Sequence, residues 1–215
     1  MKFIFYILLL AVTIQSQDTG FQIARLKYSG GSDWYNDPSA EVNLLNFINE
    51  NTTIKVNPDY VVADLSKDDI FNYPLLFITG HGNIVFSDTE VEKLRTYLEN
   101  GGFIYVDDDY GINNAIRREM KKVFPEKDFV ELPFNHGIYN SFYNFEYGPP
   151  KIHEHDDKTP QGFGIFVNER LAVYYTYESN PGDGWADAQI HNNPPEVREK
   201  ALKFGTNIVV WVLSN

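Results

Sequence analysis

Hydrophobic and polar residues alternate along the first half of the chain in a pattern that predicts strands separated by helices. The apolar run at 75–79, which follows Pro74, is typical of a strand buried on both faces of a sheet. Strands are predicted at 21–28, 53–56, 61–65, 75–79 and 103–106, and helices at 38–51, 88–99 and 112–123. This order predicts an α/β fold, with a mostly parallel sheet and helices on both faces.

Residues that favour helix ends support two of these helices. Asp37 followed by Pro38 is typical of an N-cap and a first helical residue. Ser87 and Glu90 have the spacing of a capping box, and the pair Gly101 and Gly102 predicts the end of the same helix.

The second half of the chain is less regular. Strands at 164–167 and 171–176 flank three turn residues and predict a β-hairpin. The other predictions are a strand at 129–132, an irregular aromatic and polar stretch at 133–160, a loop at 179–195 and a last helix at 196–213. A stretch as long as 133–160 without regular structure is more often functional than not in a compact domain.

The N-terminus has the pattern of a signal peptide. Lys2 precedes an apolar run over 3–14, and the small residue Ser16 follows it, so we predict a signal peptide at 1–17 and a single domain at 18–215. The run is shorter than the ~20 apolar residues that span a bilayer, and no later segment is longer. The expected location is the periplasm or the extracellular space.

Charge and cysteine content exclude several classes of function. The 215 residues carry a formal net charge of −12 without a basic patch, which argues against nucleic acid and anionic membrane as partners. The absence of cysteine excludes a thiol nucleophile and thiolate metal sites. A small polar ligand remains a compatible partner.

Candidate chemistry lies at the carboxyl ends of the predicted strands, where ligands bind in open α/β sheets. Three turns fall there, at 28–31, 80–83 and 107–111. The last two bracket one strand–helix–strand unit, so we expect His81 and the aspartates to face each other.

His81 lies between Gly80 and Gly82, which free the backbone for close approach to a ligand. A general base and a metal ligand are the functional interpretations, and a tight turn without chemistry is the alternative. Three consecutive aspartates, Asp107 to Asp109, repel one another and need a cation, a hydrogen-bond nest or a basic partner. The alternative has Asp109 capping the next helix and the other two in solvent.

Other histidines fall in the long irregular stretch. His136 could join His81 and an aspartate as a set of two histidines and one carboxylate, which is a known ligand set for a divalent metal. His153 and His155 stand in an acidic stretch, and the interpretation favoured for them is solvated surface. Motifs for a serine nucleophile, a phosphate-binding loop and a dinucleotide site are absent. The aromatic residues are mostly expected in the core.

Several segments taken together resemble a family of exported bacterial proteins known only as a domain of unknown function. They are the residues 25–28 with 31–35, Tyr73 with Pro74, 79–82, 101–103 with Asp107 and Asp108, and 136–139 with Phe142.

The resemblance implies a flavodoxin-like topology of the class I glutamine amidotransferase type, close to trehalose-utilisation proteins. In active amidotransferases a cysteine nucleophile stands at a strand-to-helix elbow, a place that Asp107 to Asp109 would hold here. The resemblance therefore excludes glutamine hydrolysis by that route. It also implies that Gly80 to Gly82 occupy the turn that supplies oxyanion amides in the active relatives.

Three functions remain open at this point. The first is an exported domain that binds a small polar ligand, such as a carbohydrate, in the strand-end cleft. The second is a metal-assisted hydrolase with a divalent ion, for which His81, Asp108 and His136 are the candidate catalytic and metal-binding residues. The third is a structural or partner-binding module. The predicted ligand-binding residues are Tyr28, Gly31, Trp34, Gly80, His81, Gly82, Asp107, Asp108, His136 and Tyr139.

Overall fold

The computed structural model describes residues 20–215 except 68 and 154, so the predicted signal peptide lies outside the described residues. The strands are β1 (Ile23–Lys27), β2 (Val61–Asp64), β3 (Leu75–Ile78), β4 (Phe103–Asp107), β5 (Val130–Glu131), β6 (Gln161–Val167) and β7 (Arg170–Tyr177). The helices are α1 (Ala40–Asn51), α2 (Asp88–Glu99), α3 (Asn113–Val123), α4 (Pro181–Trp185), α5 (Ala188–His191) and α6 (Pro195–Ser214). In the part of the chain that the structure describes, no helix combines the length and apolar character needed to cross a bilayer.

The seven strands form one sheet in the order β2-β1-β3-β4-β7-β6-β5. The first five strands of this order are parallel to one another. β6 pairs antiparallel with β7, and β5 pairs antiparallel with β6. The predicted α/β class and mostly parallel sheet are therefore confirmed, as is the hairpin, while the flavodoxin-like assignment stays a prediction.

The pleat of the central strands divides the core into two layers. In β4, Ile104 and Val106 pack with α2 and α3 on one face, while Phe103 and Tyr105 pack with α1 and α6 on the other. This alternation continues past the end of β4 and decides where the following aspartates point.

Local signals fix some helix ends and fail at others. The capping box at α2 is present, since Ser87 accepts from the Glu90 backbone and Glu90 accepts from the Ser87 backbone. At α1 the N-cap is Ser39 rather than Asp37, because Asp37 has a left-handed backbone with φ 45°.

Two further predictions of local structure are wrong. Residues 53–56 make one isolated bridge, Val56 with Phe21, rather than a strand. The predicted loop at 179–195 contains α4 and α5, which pack as short helices beneath the carboxyl ends of the strands.

Candidate functional site

Segments that follow β1, β3, β4 and β7, together with the stretch between β5 and β6, meet at the carboxyl edge of the sheet. They bring together a group of seven side chains, which we call the strand-end cluster. Its members are Asp33, Asp37, His81, Asp109, His153, Asp183 and His191. The cluster lies where ligands are expected in an open α/β sheet.

The segment after β1 is held by a buried arginine. Arg25 is fully buried and pairs with Glu41 on α1 at 2.5 and 2.6 Å. Its remaining donors bind the carbonyl oxygens of Trp34 and Asn36 at 3.0 and 2.6 Å. This anchoring presents Asp33, Asn36 and Asp37 to the site.

The turn after β3 carries His81 against Asp33. The Asp33 carboxylate accepts from the His81 backbone at 2.7 Å and lies 2.9 Å from its ring Nδ1. Since a carboxylate only accepts, Nδ1 carries the proton and Nε2 is the second, outward nitrogen of a ring that is 49% exposed. Gly80 has φ 130°, and a Cβ there would lie 2.7 Å from the Tyr28 hydroxyl, so this turn requires glycine.

The three aspartates after β4 are all buried and have different roles. Asp107 follows the pleat toward α4 and accepts from the Gly182 backbone at 2.6 Å. Asp108 points to the other face, where it accepts from the Ile112 backbone at 3.0 Å and the Tyr175 hydroxyl at 2.7 Å. Asp109 alone enters the cluster, with Oδ2 at 3.3 Å from His81 Nδ1.

The segment after β7 contributes Asp183, which is 3% exposed. It lies on α4, whose Trp185 is buried beneath Tyr105 and Phe77 and donates to the Ala201 carbonyl at 2.8 Å. The Asp107–Gly182 bond fixes the other side of this short helix. Asp183 is therefore held rigidly at the centre of the cluster.

Two histidines reach Asp183 and Asp37 from separate loops. His153 Nδ1 lies 2.6 Å from Asp183 Oδ2. His191 Nε2, at the end of α5, lies 2.9 Å from Asp37 Oδ2 and 3.7 Å from Asp183 Oδ1. A third ring, His155, lies beside them and its Nε2 is 2.8 Å from the Asn180 amide nitrogen.

These residues form two sets of three ligands with suitable spacing for a metal. One set is His153, Asp183 and His191, the other is Asp37, Asp109 and Asp183, and within each the ligand atoms lie within 4.8 Å of one another. Asp183 belongs to both. A carboxylate shared by two adjacent sets is the arrangement expected for a bridging ligand between two divalent ions.

Asn180 adds an independent sign of a ligand. It is fully buried and has a left-handed backbone with φ 52°, and its amide nitrogen contacts Asp109 and His155. Its carboxamide oxygen has no hydrogen-bond partner among the described residues. A buried acceptor without a donor is costly, and a cation or its bound water at the site would satisfy it.

The close approach of several carboxylates changes the pKa values of Asp109 and His81. Burial, together with the nearby charge of Asp183, raises the pKa of Asp109 to about 7 despite the opposing effect of His81. Burial alone would lower the pKa of His81, but Asp109 and Asp33 raise it on balance. A divalent ion would relieve this repulsion by favouring the ionised carboxylates.

The metal-free protein should lose stability as pH rises, and Asp109 should cause part of that loss. The unfolded chain releases this proton near its ordinary value of 3.8 and the folded chain at about 7, so the folded state binds more protons between them. In chelator, Asp109→Asn should reduce the fall in unfolding free energy between pH 5 and pH 8 by about 2–3 kcal/mol. Urea denaturation at both pH values measures this. Asp128→Asn, at an 81% exposed side chain, is the control, and an equal fall in wild type and Asp109→Asn would contradict the assignment.

The predicted site residues separate into two groups. His81, Gly80, Gly82 and Asp107 lie at the strand ends as expected, and the bridge between His81 and Tyr110 confirms that the two turns are neighbours. Tyr28, Gly31 and Trp34 lie in the same edge segment, where Tyr28 donates to the Thr79 carbonyl and the Trp34 carbonyl accepts from Arg25.

His136, Asp108 and Tyr139 do not join the cluster. His136 packs 5.0 Å from the Trp211 ring, near Phe166 at the opposite edge of the sheet, so the predicted approach to His81 is wrong. Asp108 accepts a hydrogen bond from the backbone of Ile112, the residue before α3, and so has the capping role that the sequence suggested for Asp109. Tyr139 is fully buried in the core between Tyr174 and Phe204.

The sequence interpretation missed most of the cluster. Asp33 and Asp37 follow β1, and Asp183 and His191 follow β7. The sequence analysis treated β7 only as one strand of a hairpin, whereas β7 also pairs in parallel with β4. Recognising β7 as a parallel neighbour of β4 would have placed the 179–195 segment at the same edge. His153 is exposed, as the solvated interpretation expected, but its ring also contacts the buried Asp183, which that interpretation did not predict.

One family model matches residues 22–213. The chain belongs to this family, Domain of unknown function (DUF4159). A search of curated proteins gives no significant match. The matched range contains every member of the strand-end cluster, so the site is part of the DUF4159 domain itself.

Proposed function

We propose that this DUF4159 domain is a metal-dependent hydrolase with two divalent ions bridged by Asp183. The observation that carries the proposal is the pair of ligand sets that share this buried carboxylate. The ligands come from four separate segments of the chain. Each segment is fixed to the core by its own contacts, so the geometry is set before any ion binds.

The two sets suit somewhat different ions. Two imidazoles and a carboxylate at the His153 set are typical ligands for zinc, iron or manganese. Three carboxylates at the Asp37 set favour a harder ion such as magnesium or manganese. Manganese accepts both sets, and zinc is the natural first probe for the histidine set.

Such a centre supplies a nucleophile and an electrophile together. Two divalent ions, if held by the two ligand sets, would supply an activated water and polarise the bond to be cleaved. His81 Nε2 would then be the ring nitrogen available for proton transfer, because Asp33 engages Nδ1.

We assign to His81 the donation of a proton to the leaving group. The raised pKa of this side chain favours the protonated ring, and 49% of the side chain is exposed, which supports the assignment. The step consumes one water: the water oxygen bonds to the attacked carbon, the carbon–oxygen or carbon–nitrogen bond breaks, and the proton passes to the departing atom.

The other two functions are weaker on these observations. A pure scaffold does not require buried carboxylates in contact, an arrangement that costs stability in the absence of a cation. A ligand-binding domain without chemistry is compatible with the cleft but leaves the shared ligand Asp183 without a role. Export from the cytoplasm remains part of the proposal on the strength of the N-terminal pattern alone.

Substitution of His81 separates chemistry from metal binding. His81→Gln should lower kcat for a manganese-loaded or zinc-loaded enzyme about 100-fold, a typical contribution of general acid catalysis, with the metal content unchanged. The assay follows release of p-nitrophenol from p-nitrophenyl acetate, with elemental analysis of the same samples. His136→Gln is the matched control at a histidine remote from the site.

Two results would count against this assignment. A kcat for His81→Gln equal to that of wild type would remove His81 from proton transfer. Hydrolysis by the metal-loaded wild type no faster than by Asp183→Asn would contradict the hydrolase itself.

A further inference from the structure

A polar cavity adjoins the strand-end cluster, and apart from Asp109 the described residues that line it belong to neither ligand set. It has a volume of about 350 Å³ and shares Asp109 and His155 with the cluster region. Volumes of about 300–1,000 Å³ are usual for small-molecule sites, so this cavity suits a compact substrate. Its direct continuity with Asp109 places any occupant beside the proposed centre.

The lining of the cavity includes an aromatic surface. Tyr110 is 48% exposed, and its ring centroid lies 4.6 Å from that of His155, which also lines the cavity. The flat faces of sugar rings carry C–H groups that pack against such a surface, while the ring edges remain free for hydrogen bonds.

The first turn of α3 offers hydrogen-bond donors. Asn113 lines the cavity, and while its Oδ1 accepts from Arg117 at 2.8 Å, its NH₂ group is a donor. Asn114, the next residue, is exposed and also lines the cavity. Amide donors beside carboxylate acceptors form the kind of surface that binds hydroxyl groups, each of which donates and accepts.

The charges of the cavity disfavour an anionic substrate. Among the described residues that line it, Lys158 is the only cation, and its ammonium group lies 3.1 Å from Asp156 and 2.8 Å from the Tyr177 hydroxyl. Asp109 and Glu178 add negative charge, and Glu178 is paired with Lys151 at 2.9 Å. Away from the proposed ions, a phosphate or sulfate group in this cavity would meet carboxylates, and the described lining residues supply no unpaired side-chain cation to hold it.

We infer that the substrate of this site is a neutral carbohydrate that carries an ester or amide group, bound in this cavity with one ring face on Tyr110. The inference rests on the proposed hydrolase. The reaction takes one water: its oxygen bonds to the acyl carbon, the bond from that carbon to the sugar oxygen or nitrogen breaks, and the sugar leaves with a proton as the free acid forms.

Tyr110→Ala tests the inference because this side chain belongs to the cavity and to neither ligand set. We expect metal-loaded wild type to hydrolyse at least one member of a panel of acetylated neutral mono- and disaccharides with a kcat/KM at least tenfold above that for p-nitrophenyl acetate. Tyr110→Ala should lower that sugar-ester kcat/KM about tenfold, mainly through KM, and leave p-nitrophenyl acetate hydrolysis and zinc affinity within twofold. Tyr147→Ala, at a 76% exposed tyrosine outside the cavity, should match wild type.

The outcomes separate the inference from the function on which it rests. Wild type that binds metal and hydrolyses p-nitrophenyl acetate but shows no preference for any sugar ester overturns the carbohydrate assignment alone. A preference for sugar phosphates also overturns it, since that contradicts the charge argument, and a preference for cationic amino sugars overturns the assignment of a neutral substrate. Wild type that binds no metal overturns the proposed hydrolase.

Discussion

Asp183→Asn is expected to lower the affinity for zinc at least about 100-fold and to reduce metal-dependent hydrolysis to the background rate. Asparagine keeps the shape of the side chain but offers one neutral oxygen in place of a carboxylate that both ligand sets share. Because each ion loses the same ligand, the loss should affect both binding steps. Single substitutions at His153 or Asp37 should weaken one step more than the other.

Isothermal titration calorimetry with zinc and with manganese measures the effect. The control is Asp157→Asn, at an exposed residue of the neighbouring loop whose left-handed backbone, φ 54°, asparagine accepts. Two binding events of wild-type affinity in Asp183→Asn would contradict a bridging role for this carboxylate.

Arg25→Met is expected to cost about 3–5 kcal/mol of unfolding free energy, because it leaves the Glu41 carboxylate buried without its partner. The guanidinium also binds the carbonyl oxygens of Trp34 and Asn36, so the segment that presents Asp37 should lose its anchor. We therefore expect metal affinity to fall about tenfold in addition to the loss of stability, through positioning rather than contact.

Urea denaturation tests this in matched variants. Arg95→Met, at a 40% exposed ion pair, should change stability by less than about 1 kcal/mol. The double variant Arg25→Met/Glu41→Leu should recover part of the stability, because it removes the unpaired charge, but not the metal affinity. A cost below about 1 kcal/mol for Arg25→Met alone would contradict the role given to the pair.

The order of elements and the location of the site could be predicted from sequence because both depend on local patterns. Apolar runs identified β3 and β4 as buried strands, and the turns after them placed His81 beside the aspartates. The capping box of Ser87 and Glu90 could be predicted for the same reason, since the two residues are only three positions apart in the sequence.

Which of Asp107, Asp108 and Asp109 enters the cluster depends on the pleat of β4, which the sequence alone did not fix. Side chains alternate between faces, so Asp107 turns toward α4 and Asp108 toward α3, and only Asp109 turns into the cluster. The sequence predicted a set of two histidines and a carboxylate from His81, His136 and Asp108, whereas the structure brings together a different set of this kind, His153, His191 and Asp183; metal binding by either set stays a prediction.

His153 and Asp183 are 30 residues apart, and the antiparallel pairing of β6 with β7, together with the bond from the Ile152 backbone to the Ser179 carbonyl, brings them together. The hydrophobic pattern within either segment does not predict this pairing. His136, from an earlier part of the same irregular stretch, lies instead against Trp211 and near Phe166, at the far end of β6.

The most direct test of a bridged two-metal centre is a count of metal ions per chain. The protein is loaded with zinc or manganese, freed of loosely bound ions by dialysis and measured by elemental analysis, with His136→Ala in parallel. Two ions per chain in both proteins is the predicted result. One ion or fewer per chain in wild type, at saturating metal and neutral pH, would contradict a bridged two-metal centre.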